Sequence, residues 1–239
     1  MLNILYSNSL KGRVKESNQD AYLVKPFDNG DMLLAVADGM GGGVMGAELA
    51  DRAMEILDRI FDDKSDYPLQ KLKQAIFVVN DELSVMLDGQ KGGTTLSMVY
   101  YQQGEIFYLN IGDSRVWLSR NGEIINLTLD QNIYEYKRLN NIYTDSEDKR
   151  LIYRILGISS NFEIEEILDS DEWSAFGSFE LEEGDILVLS TDGFHDYMGR
   201  GLKSTNNITK YKHRLTTMLL EIEAISNDNI TAIVAKETR

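Results

Sequence analysis

The chain has 239 residues, of which 43% are hydrophobic and 26% charged, so it can bury a sizeable core and has the composition of a soluble globular protein. Its formal net charge of −15 argues against non-specific binding to nucleic acids and anionic membranes, and we expect neither as a partner. The sequence has no cysteine and only two histidines, which excludes disulfides, thiolate metal sites and a multi-histidine zinc site within one chain.

The sequence carries no pattern typical of export or membrane insertion. No stretch reaches the roughly 20 apolar residues that a membrane span needs, and the start from Met1 to Tyr6 lacks the basic and apolar regions of a signal peptide. No internal repeat and no linker rich in proline, glycine or serine interrupts the chain. We therefore expect a cytoplasmic monomer with one domain over residues 1–239.

Strands and helices are predicted in separate blocks in the first half of the chain. Strands come first, at residues 3–7, 21–25 and 31–37. Two helices follow, because apolar residues recur at helical spacing over residues 49–60 and 69–86, a pattern typical of core packing. The next block contains strands and an Asn121-Gly122 hairpin turn, with the strands at residues 94–101, 105–109, 115–119 and 123–127.

The pattern becomes less regular beyond residue 130. Residues 131–154 are polar and irregular, which indicates a mobile segment or short helices. After them we predict a helix at residues 209–225 and strands at residues 162–168, 177–181, 185–190 and 230–235. Because the helices are grouped between blocks of strands rather than alternating with them, the pattern favours an α+β fold.

Five aspartates stand at the ends of predicted strands or beside them. Asp38 ends an apolar strand and precedes a run of glycines, which let the backbone approach a ligand closely. Asp192 repeats this pattern, and the others are Asp20, Asp113 and Asp228. Each alone fits an acidic turn, and the glycine-rich loop lacks the Lys-Ser/Thr end of a P-loop. Clustered carboxylates repel one another and require cations, so the set favours a two-metal centre of the kind that serves attack on phosphorus.

These motifs resemble, in order and over nearly the whole chain, those of the metal-dependent protein phosphatases, the PPM or protein phosphatase 2C-like family in its bacterial form. The matching segments are residues 12–20, 38–42, 93–95, 110–115, 127–130, 190–193 and 228–231. The resemblance implies a four-layer αββα sandwich, with two mainly antiparallel β-sheets flanked by helices. It also implies an enzyme that uses two Mn²⁺ or Mg²⁺ ions, or three, and hydrolyses phosphoserine and phosphothreonine directly, without a phosphoenzyme.

The resemblance also assigns roles to single residues. Asp38 would bridge two metal ions, and the carbonyl oxygen of Gly39 would bind one of them. Asp192 and Asp228 would bind the other ion. Asp20 would hold water around the metals. A third ion would lie between Asp192 and Asp113, as in bacterial-type members.

The chain departs from the family pattern at the residue expected to bind the substrate phosphate. Where the family usually has an arginine that clamps this phosphate, the chain has Lys15, which keeps the charge but not the bidentate fork. Arg13 shares a strand face with that position and is the alternative, and a merely solvated Lys15 is the third interpretation. Met40 stands where some members have a histidine acid, and we interpret His195 as a surface or capping residue rather than as that acid.

Three functional hypotheses follow, and the intact set of aspartates favours the first. It is an active protein serine/threonine phosphatase, whose partners are phosphoproteins, with a cognate serine/threonine kinase or its substrates among them. The second is a pseudophosphatase that binds phosphoproteins, and the third is hydrolysis of a small phosphorylated metabolite. A flap-like segment at about 131–155 is interpreted either as a partner contact or as a solvated loop.

Overall fold

The computed structural model describes residues 1–62, 66–168, 174–201 and 225–238. Two antiparallel β-sheets stack face to face. The first sheet has the strand order β1 (Leu2–Leu10), β11 (Ile230–Glu237), β10 (Ile186–Ser190), β7 (Arg115–Arg120) and β8 (Glu123–Asn126). The second has the order β2 (Asp20–Pro26), β3 (Met32–Met40), β5 (Leu96–Gln102), β6 (Glu105–Ile111) and β9 (Phe176–Glu180), and the short β4 (Gly93–Thr94) pairs with β3.

Strand β3 is buried on both faces, which explains why its sequence is an almost continuous apolar run. Its side chains alternate between the two faces of the sheet, and both faces are buried. Leu34 and Val36 pack between the two sheets, whereas Leu33 and Ala35 pack on the outer face of the second sheet. A strand covered on both sides has no polar face, so its sequence loses the usual alternation.

Helices cover the outer faces of both sheets. Helix α1 (Val44–Ile60) and helix α2 (Pro68–Leu87) pack on the second sheet and bury the apolar stripes predicted for them, including Leu57 and Ile76. Helix α5 (Asp192–Gly201) begins just after β10, and its Phe194 belongs to the same buried cluster as Trp117 on the outer face of the first sheet. The predicted α+β class, with two antiparallel sheets flanked by helices, is confirmed.

The strand predicted at residues 162–168 is wrong, because this segment is helix α4 (Asn161–Leu168). Ile164 and Leu168 are both buried and lie four residues apart, on the same face of a helix. Ser160 and Glu163 form a reciprocal cap: the Glu163 carboxylate accepts from Ser160 N at 2.7 Å, and Ser160 Oγ accepts from Glu163 N at 3.3 Å. This helix-start signal outweighs the alternation of apolar and acidic residues at its beginning, which also suits a strand.

Residues 131–154 contain the short helices that were one of the two predicted alternatives. They are helix α3 (Ile133–Leu139) and a 3-10 helix, Ser146–Arg150. The helix predicted at residues 209–225 lies outside the described residues, apart from its last position. Over the ranges that the structure describes, no helix combines the length and the apolar character that crossing a membrane demands.

Candidate metal centre

The five aspartates lie at one end of the stacked sheets. Asp20 begins β2 and Asp38 lies near the end of β3, where the antiparallel pairing places them directly opposite each other. Asp113 lies in the turn from β6 to β7, Asp192 follows β10, and Asp228 precedes β11. Because neighbouring strands are antiparallel, the start of one strand lies beside the end of the next, and these residues come together at the same end of the sheets.

Four of these aspartates, all but Asp20, line one cleft of about 640 Å³. Asp20 is buried and lies directly opposite Asp38, which lines the cleft, on the neighbouring strand. The backbone of Gly39 and Gly193 also lines the cleft. Both positions require glycine because a neighbouring backbone passes close to them. A Cβ on Gly39 would lie 1.9 Å from the carbonyl oxygen of Gly46, and one on Gly193 would lie 1.9 Å from that of Asn229.

Threonine hydroxyls fix the backbone that carries Asp38. Thr95 Oγ1 accepts from Asp38 N at 2.9 Å, and Thr94 Oγ1 donates to Asp38 O at 3.0 Å. Thr95 Oγ1 also bonds Ser114 Oγ at 2.7 Å, next to Asp113. This explains the Gly-Thr-Thr motif at residues 93–95: it links the strand end bearing one carboxylate to the turn bearing another.

Two buried carboxylate oxygens in this cluster have no hydrogen-bond partner within the described residues. Thr191 donates to Asp20 Oδ2 at 2.8 Å, but Asp20 Oδ1 has no protein donor, and Asp192 Oδ1 also lacks one. A buried carboxylate oxygen without a donor is costly unless a cation or water satisfies it. The donor set therefore fits hard divalent cations such as Mn²⁺ and Mg²⁺, which prefer oxygen ligands.

The charges of the cluster act on one another. Burial, together with the neighbouring Asp192 and Asp228 charges, raises the pKa of Asp20 to about 7 in spite of hydrogen bonds from threonines. Burial and then the charges of Asp228 and Asp196 raise the pKa of Asp192 to about 6. For Asp38 and Asp113, burial followed by neighbouring aspartates raises the pKa well above its usual range. The protein thus concentrates negative charge that bound cations would relieve.

The aspartate side chains of the cleft are not arranged around a common point that one metal ion could occupy. Among the residues that the structure describes, no three acidic or histidine side chains surround a single point as ligands of one ion. One reason lies at Asp228, whose Oδ1 accepts from Lys15 Nζ at 2.6 Å and from Asn229 N at 2.8 Å. A metal ion at Asp228 would therefore exchange with Lys15 or use the other oxygen of the carboxylate.

The two candidate phosphate-binding cations differ in position. Lys15 lines the cleft, whereas Arg13 is exposed and is absent from the described lining of the cleft. Burial alone would lower the pKa of Lys15, but the hydrogen bond to Asp228 and the charges of Asp228, Asp38 and Asp192 outweigh it and raise the pKa. Of the two, Lys15 is the cation that the fold brings to the aspartates.

Asn229 is a structural anchor that the sequence interpretation missed. Its Nδ2 donates to the carbonyl oxygens of Lys11 at 2.7 Å and Ser17 at 3.0 Å, and its Oδ1 accepts from Gln19 N at 3.0 Å. These bonds hold the loop that carries Lys15 against the start of β11. The available signal was the position of Asn229 inside the Asp228-Asn229-Ile230-Thr231 motif, where only the aspartate was assigned a role.

His195 was expected to be a surface or capping residue, and the surface placement is wrong, because its side chain is buried at the cleft wall. Its Nδ1 lies 3.2 Å from Ser190 Oγ, which accepts from Trp117 Nε1 at 3.3 Å. Burial and then the charge of Arg115 lower the pKa of His195 well below its usual value. A neutral, hydrogen-bonded imidazole supports the wall of the cleft. The other histidine, His213, lies outside the described residues.

Sequence reasoning also missed cations around the cleft. Arg115 makes a bidentate ion pair with Asp130, with both N···O distances at 2.6 Å. Lys149 and Arg150, from the 3-10 helix, line the cleft as well. They stand more than a hundred residues from the first aspartates in the sequence, and no local pattern marks them as neighbours of the centre.

Two stacked antiparallel sheets, with an acidic cleft at one end that suits divalent cations, define the class of metal-dependent phosphatases of the protein phosphatase 2C type. The family model described as protein phosphatase 2C matches residues 11–229. The chain belongs to this family, and the expectation drawn from its motifs is confirmed.

Individual relatives agree with this family. The chain is 28% identical to the serine/threonine protein phosphatase PstP of Mycobacterium tuberculosis, over 96% of the chain and 44% of PstP, so it spans less than half the length of that relative. It resembles the structure of a serine/threonine phosphatase from S. agalactiae with a TM-score of 0.78 at 22% identity, over 99% of both chains. It also resembles the catalytic domain of PstP in complex with two manganese ions, with a TM-score of 0.75 at 25% identity over 100% of both chains.

Proposed function

We propose that this chain is a metal-dependent protein serine/threonine phosphatase that uses Mn²⁺ or Mg²⁺ to hydrolyse phosphoserine and phosphothreonine in proteins. One observation carries the proposal: Asp20 Oδ1 and Asp192 Oδ1 are buried without a donor in the described residues, inside a cluster of aspartates at the cleft. Such oxygens suit cation ligands. The two manganese ions bound by the PstP catalytic domain support the same choice of metal.

Asp38, the carbonyl oxygen of Gly39, Asp192 and Asp228 would hold two ions, as the family resemblance implies. Asp20 would orient water around them, since its Oδ1 has no protein donor in the described residues and the residue pairs across the strands with Asp38. Asp113 would add a third position with Asp192. When bound, divalent ions supply Lewis-acid stabilisation of phosphoryl oxygens and a water of lowered pKa.

Lys15 would bind the substrate phosphate, since it is a cation that lines the cleft beside the aspartates. Its release from Asp228 on metal binding would free the ammonium group for this contact. Arg13 is the less supported candidate because it is exposed outside the described lining of the cleft. The described lining contains no serine, threonine or cysteine, which supports attack by water rather than by a hydroxyl or thiol nucleophile.

The wider assignment follows the same reasoning. We propose that residues 1–239 form one catalytic domain with a flap-like segment at about 131–155, and that the protein acts as a cytoplasmic, monomeric signalling phosphatase. Its partners would be phosphoproteins, including a serine/threonine kinase or its substrates. The names of PstP and of the Listeria stp phosphatases, both described as serine/threonine phosphatases, support this substrate class.

A pseudophosphatase is the second candidate, and one contact favours it. Lys15 Nζ lies 2.6 Å from Asp228 Oδ1, so a protein cation already partly satisfies one of the metal-binding carboxylates. If this pair persisted in the presence of metal, the chain would bind phosphoproteins without hydrolysing them.

Hydrolysis of a phosphothreonine peptide with added Mn²⁺ separates these candidates. We expect activity that requires the metal and is lost in Asp38→Ala and Asp192→Ala. Asp31→Asn is the matched control, because Asp31 is a buried aspartate outside the cleft, held by Tyr100 and Gln102. Peptide binding without turnover would instead favour the pseudophosphatase, and equal activity in the cleft variants would overturn the assignment of the site.

A further inference from the structure

Two cations at the rim of the cleft are not neutralised like the others. Lys15 and Arg115 are paired with Asp228 and Asp130, whereas Lys149 and Arg150 are exposed residues that line the cleft without a close ion pair in the described residues. Lys149 Nζ lies 4.8 Å from the centre of the Tyr134 ring. Arg150 has only a loose contact with Glu147, at 3.4 Å between strongly exposed groups, which contributes little.

The 3-10 helix that carries these cations is firmly held. Its Asp148 is buried and accepts from Lys137 Nζ at 2.8 and 2.9 Å. Asp145 caps the same turn, since its side chain accepts from Glu147 N at 3.0 Å while its own N donates to Asp148 at 2.8 Å. The two rim cations therefore have a fixed base in spite of their exposed side chains.

The flap-like segment is also tied to the carboxylate cluster. Buried Gln131 exchanges bonds with the turn before Asp113: its Oε1 accepts from Gly112 N at 2.9 Å, and its Nε2 donates to Asn110 O at 3.0 Å. Asn132 Nδ2 then donates to the carbonyl oxygen of Lys149 at 3.3 Å. A chain of hydrogen bonds thus fixes the rim cations relative to the aspartates.

We propose that Lys149 and Arg150 form an anion-recognition site for the residue beside the phosphorylated serine or threonine, so that the enzyme prefers phosphoproteins with a flanking carboxylate or second phosphate. This inference rests on the proposed function. The chain has a net charge of −15 and its cleft is mainly acidic, so it would otherwise repel acidic substrates. Lys149 and Arg150 at the rim would instead attract an anionic group on the residue next to the phosphorylated serine or threonine of the substrate.

The test compares three phosphothreonine peptides of equal length with Mn²⁺ present: one with flanking glutamates, one with glutamines at the same places, and one with a flanking phosphoserine. For the wild type we expect kcat/KM roughly three- to tenfold higher for the glutamate peptide than for the glutamine peptide, and a preference that shrinks at high salt. The phosphoserine peptide shows which of the two anions binds better.

Lys149→Ala/Arg150→Ala should abolish this preference, and Lys149→Glu/Arg150→Glu should reverse it. The matched control is Arg138→Ala, which removes a cation of the same segment that is paired with Glu135 and lies outside the described lining of the cleft. p-Nitrophenyl phosphate has no flanking residue and serves as the reference substrate: the kcat/KM ratio of glutamate to glutamine peptide, each normalised to p-nitrophenyl phosphate, should change in the double variants and stay at the wild-type value in Arg138→Ala.

The outcomes separate this inference from the proposed function. If wild-type protein hydrolyses neither the peptides nor p-nitrophenyl phosphate with metal, the proposed function fails. If hydrolysis occurs but wild type shows no anion preference, or the double variants keep it, the rim site is overturned. An equal fall on all substrates in the double variants would show a structural role and would also overturn it.

Discussion

Asp20 lies directly opposite Asp38 in the antiparallel pair of β2 and β3, so the fold holds two carboxylates side by side. Neither carboxylate forms an ion pair with a basic side chain in the described residues, and Asp20 is held by threonine hydroxyls, with Thr191 Oγ1 donating to its Oδ2 at 2.8 Å. Packing of the sheets, rather than attraction, keeps these groups together. A protein that builds such a pair must lose stability whenever both are ionised and no cation is present.

The metal-free protein should therefore lose stability as the pH rises from about 4 to about 7. The pKa of Asp192 is raised to about 6 and that of Asp20 to about 7, so in this interval the folded chain binds more protons than the unfolded chain, and the free energy of unfolding falls with rising pH. Denaturant unfolding in EDTA, at pH 5 and pH 7, measures the fall, which we expect to be roughly 1–3 kcal/mol.

Added Mn²⁺ should restore stability at pH 7, because cations relieve the same repulsion. Asp20→Asn removes one of the titrating groups and should flatten the metal-free pH profile. A metal-free profile of Asp20→Asn as steep as that of the wild type would contradict this description of the cluster; the comparison cancels the opposite contribution of His195, whose lowered pKa adds stability as the pH rises.

Lys15 and Arg13 should differ sharply in their effect on catalysis. Lys15→Ala should lower kcat/KM for a phosphothreonine peptide roughly 10- to 100-fold, since a charge-assisted contact to phosphate is lost. Arg13→Ala should change it by less than about threefold, as expected for an exposed charge outside the described cleft lining. Steady-state kinetics with saturating Mn²⁺ measure both. A larger loss in Arg13→Ala would make Arg13 the phosphate ligand.

Strand-end patterns made the main features of the centre predictable from sequence. An apolar strand followed by Asp-Gly occurs at Asp38 and at Asp192, and the alternation of antiparallel strands brings both to one edge. The strand and helix blocks predicted the α+β class for a similar reason: long periodic segments depend little on distant partners.

Contacts between distant segments were not predictable in this way. Asn229 holds the loop before β2 through backbone carbonyl oxygens, which leave no trace in the residue types of that loop. The segment that carries the rim cations is tied to the turn at Gly112 by Gln131, a contact between residues that are distant in the sequence. Helix α4 was missed for a local reason, since the Ser160–Glu163 cap preceded a run that also suits a strand.

Gly193→Ala should damage both stability and activity. The added Cβ would meet the carbonyl oxygen of Asn229 at 1.9 Å and Asp228 Cβ at 3.3 Å, so α5 or the Asp228 turn must shift. We expect a loss of about 1–3 kcal/mol in the free energy of unfolding, together with weaker Mn²⁺ binding measured by calorimetry.

Gly30→Ala is the matched control for that variant. A Cβ added at Gly30 would have no heavy atom within 4 Å, but the residue has a φ of 88°. Only the strain of this backbone conformation, about 1–2 kcal/mol in the free energy of unfolding, is therefore expected. Metal affinity should be unchanged. Equal metal binding in Gly193→Ala and wild type would show that the α5 start does not shape the centre.

Asn229→Ala should loosen the loop that carries Lys15. Three hydrogen bonds to the segment from Lys11 to Gln19 would be lost, which we expect to destabilise the protein by about 2–3 kcal/mol and to raise KM for phosphopeptides. Faster hydrogen exchange in this segment, measured by mass spectrometry, is the specific readout. Unchanged exchange there, with slower turnover, would instead indicate that Asn229 acts on Asp228 alone.

A manganese anomalous-difference map from crystals grown with Mn²⁺ tests the metal centre most directly. We predict at least two peaks in the cleft, with Asp38 contacting both, Asp192 and Asp228 contacting one, and Lys15 Nζ no longer paired with Asp228. Peaks that lie away from these aspartates, or a cleft without manganese in protein whose phosphatase activity depends on manganese, would contradict the proposed site.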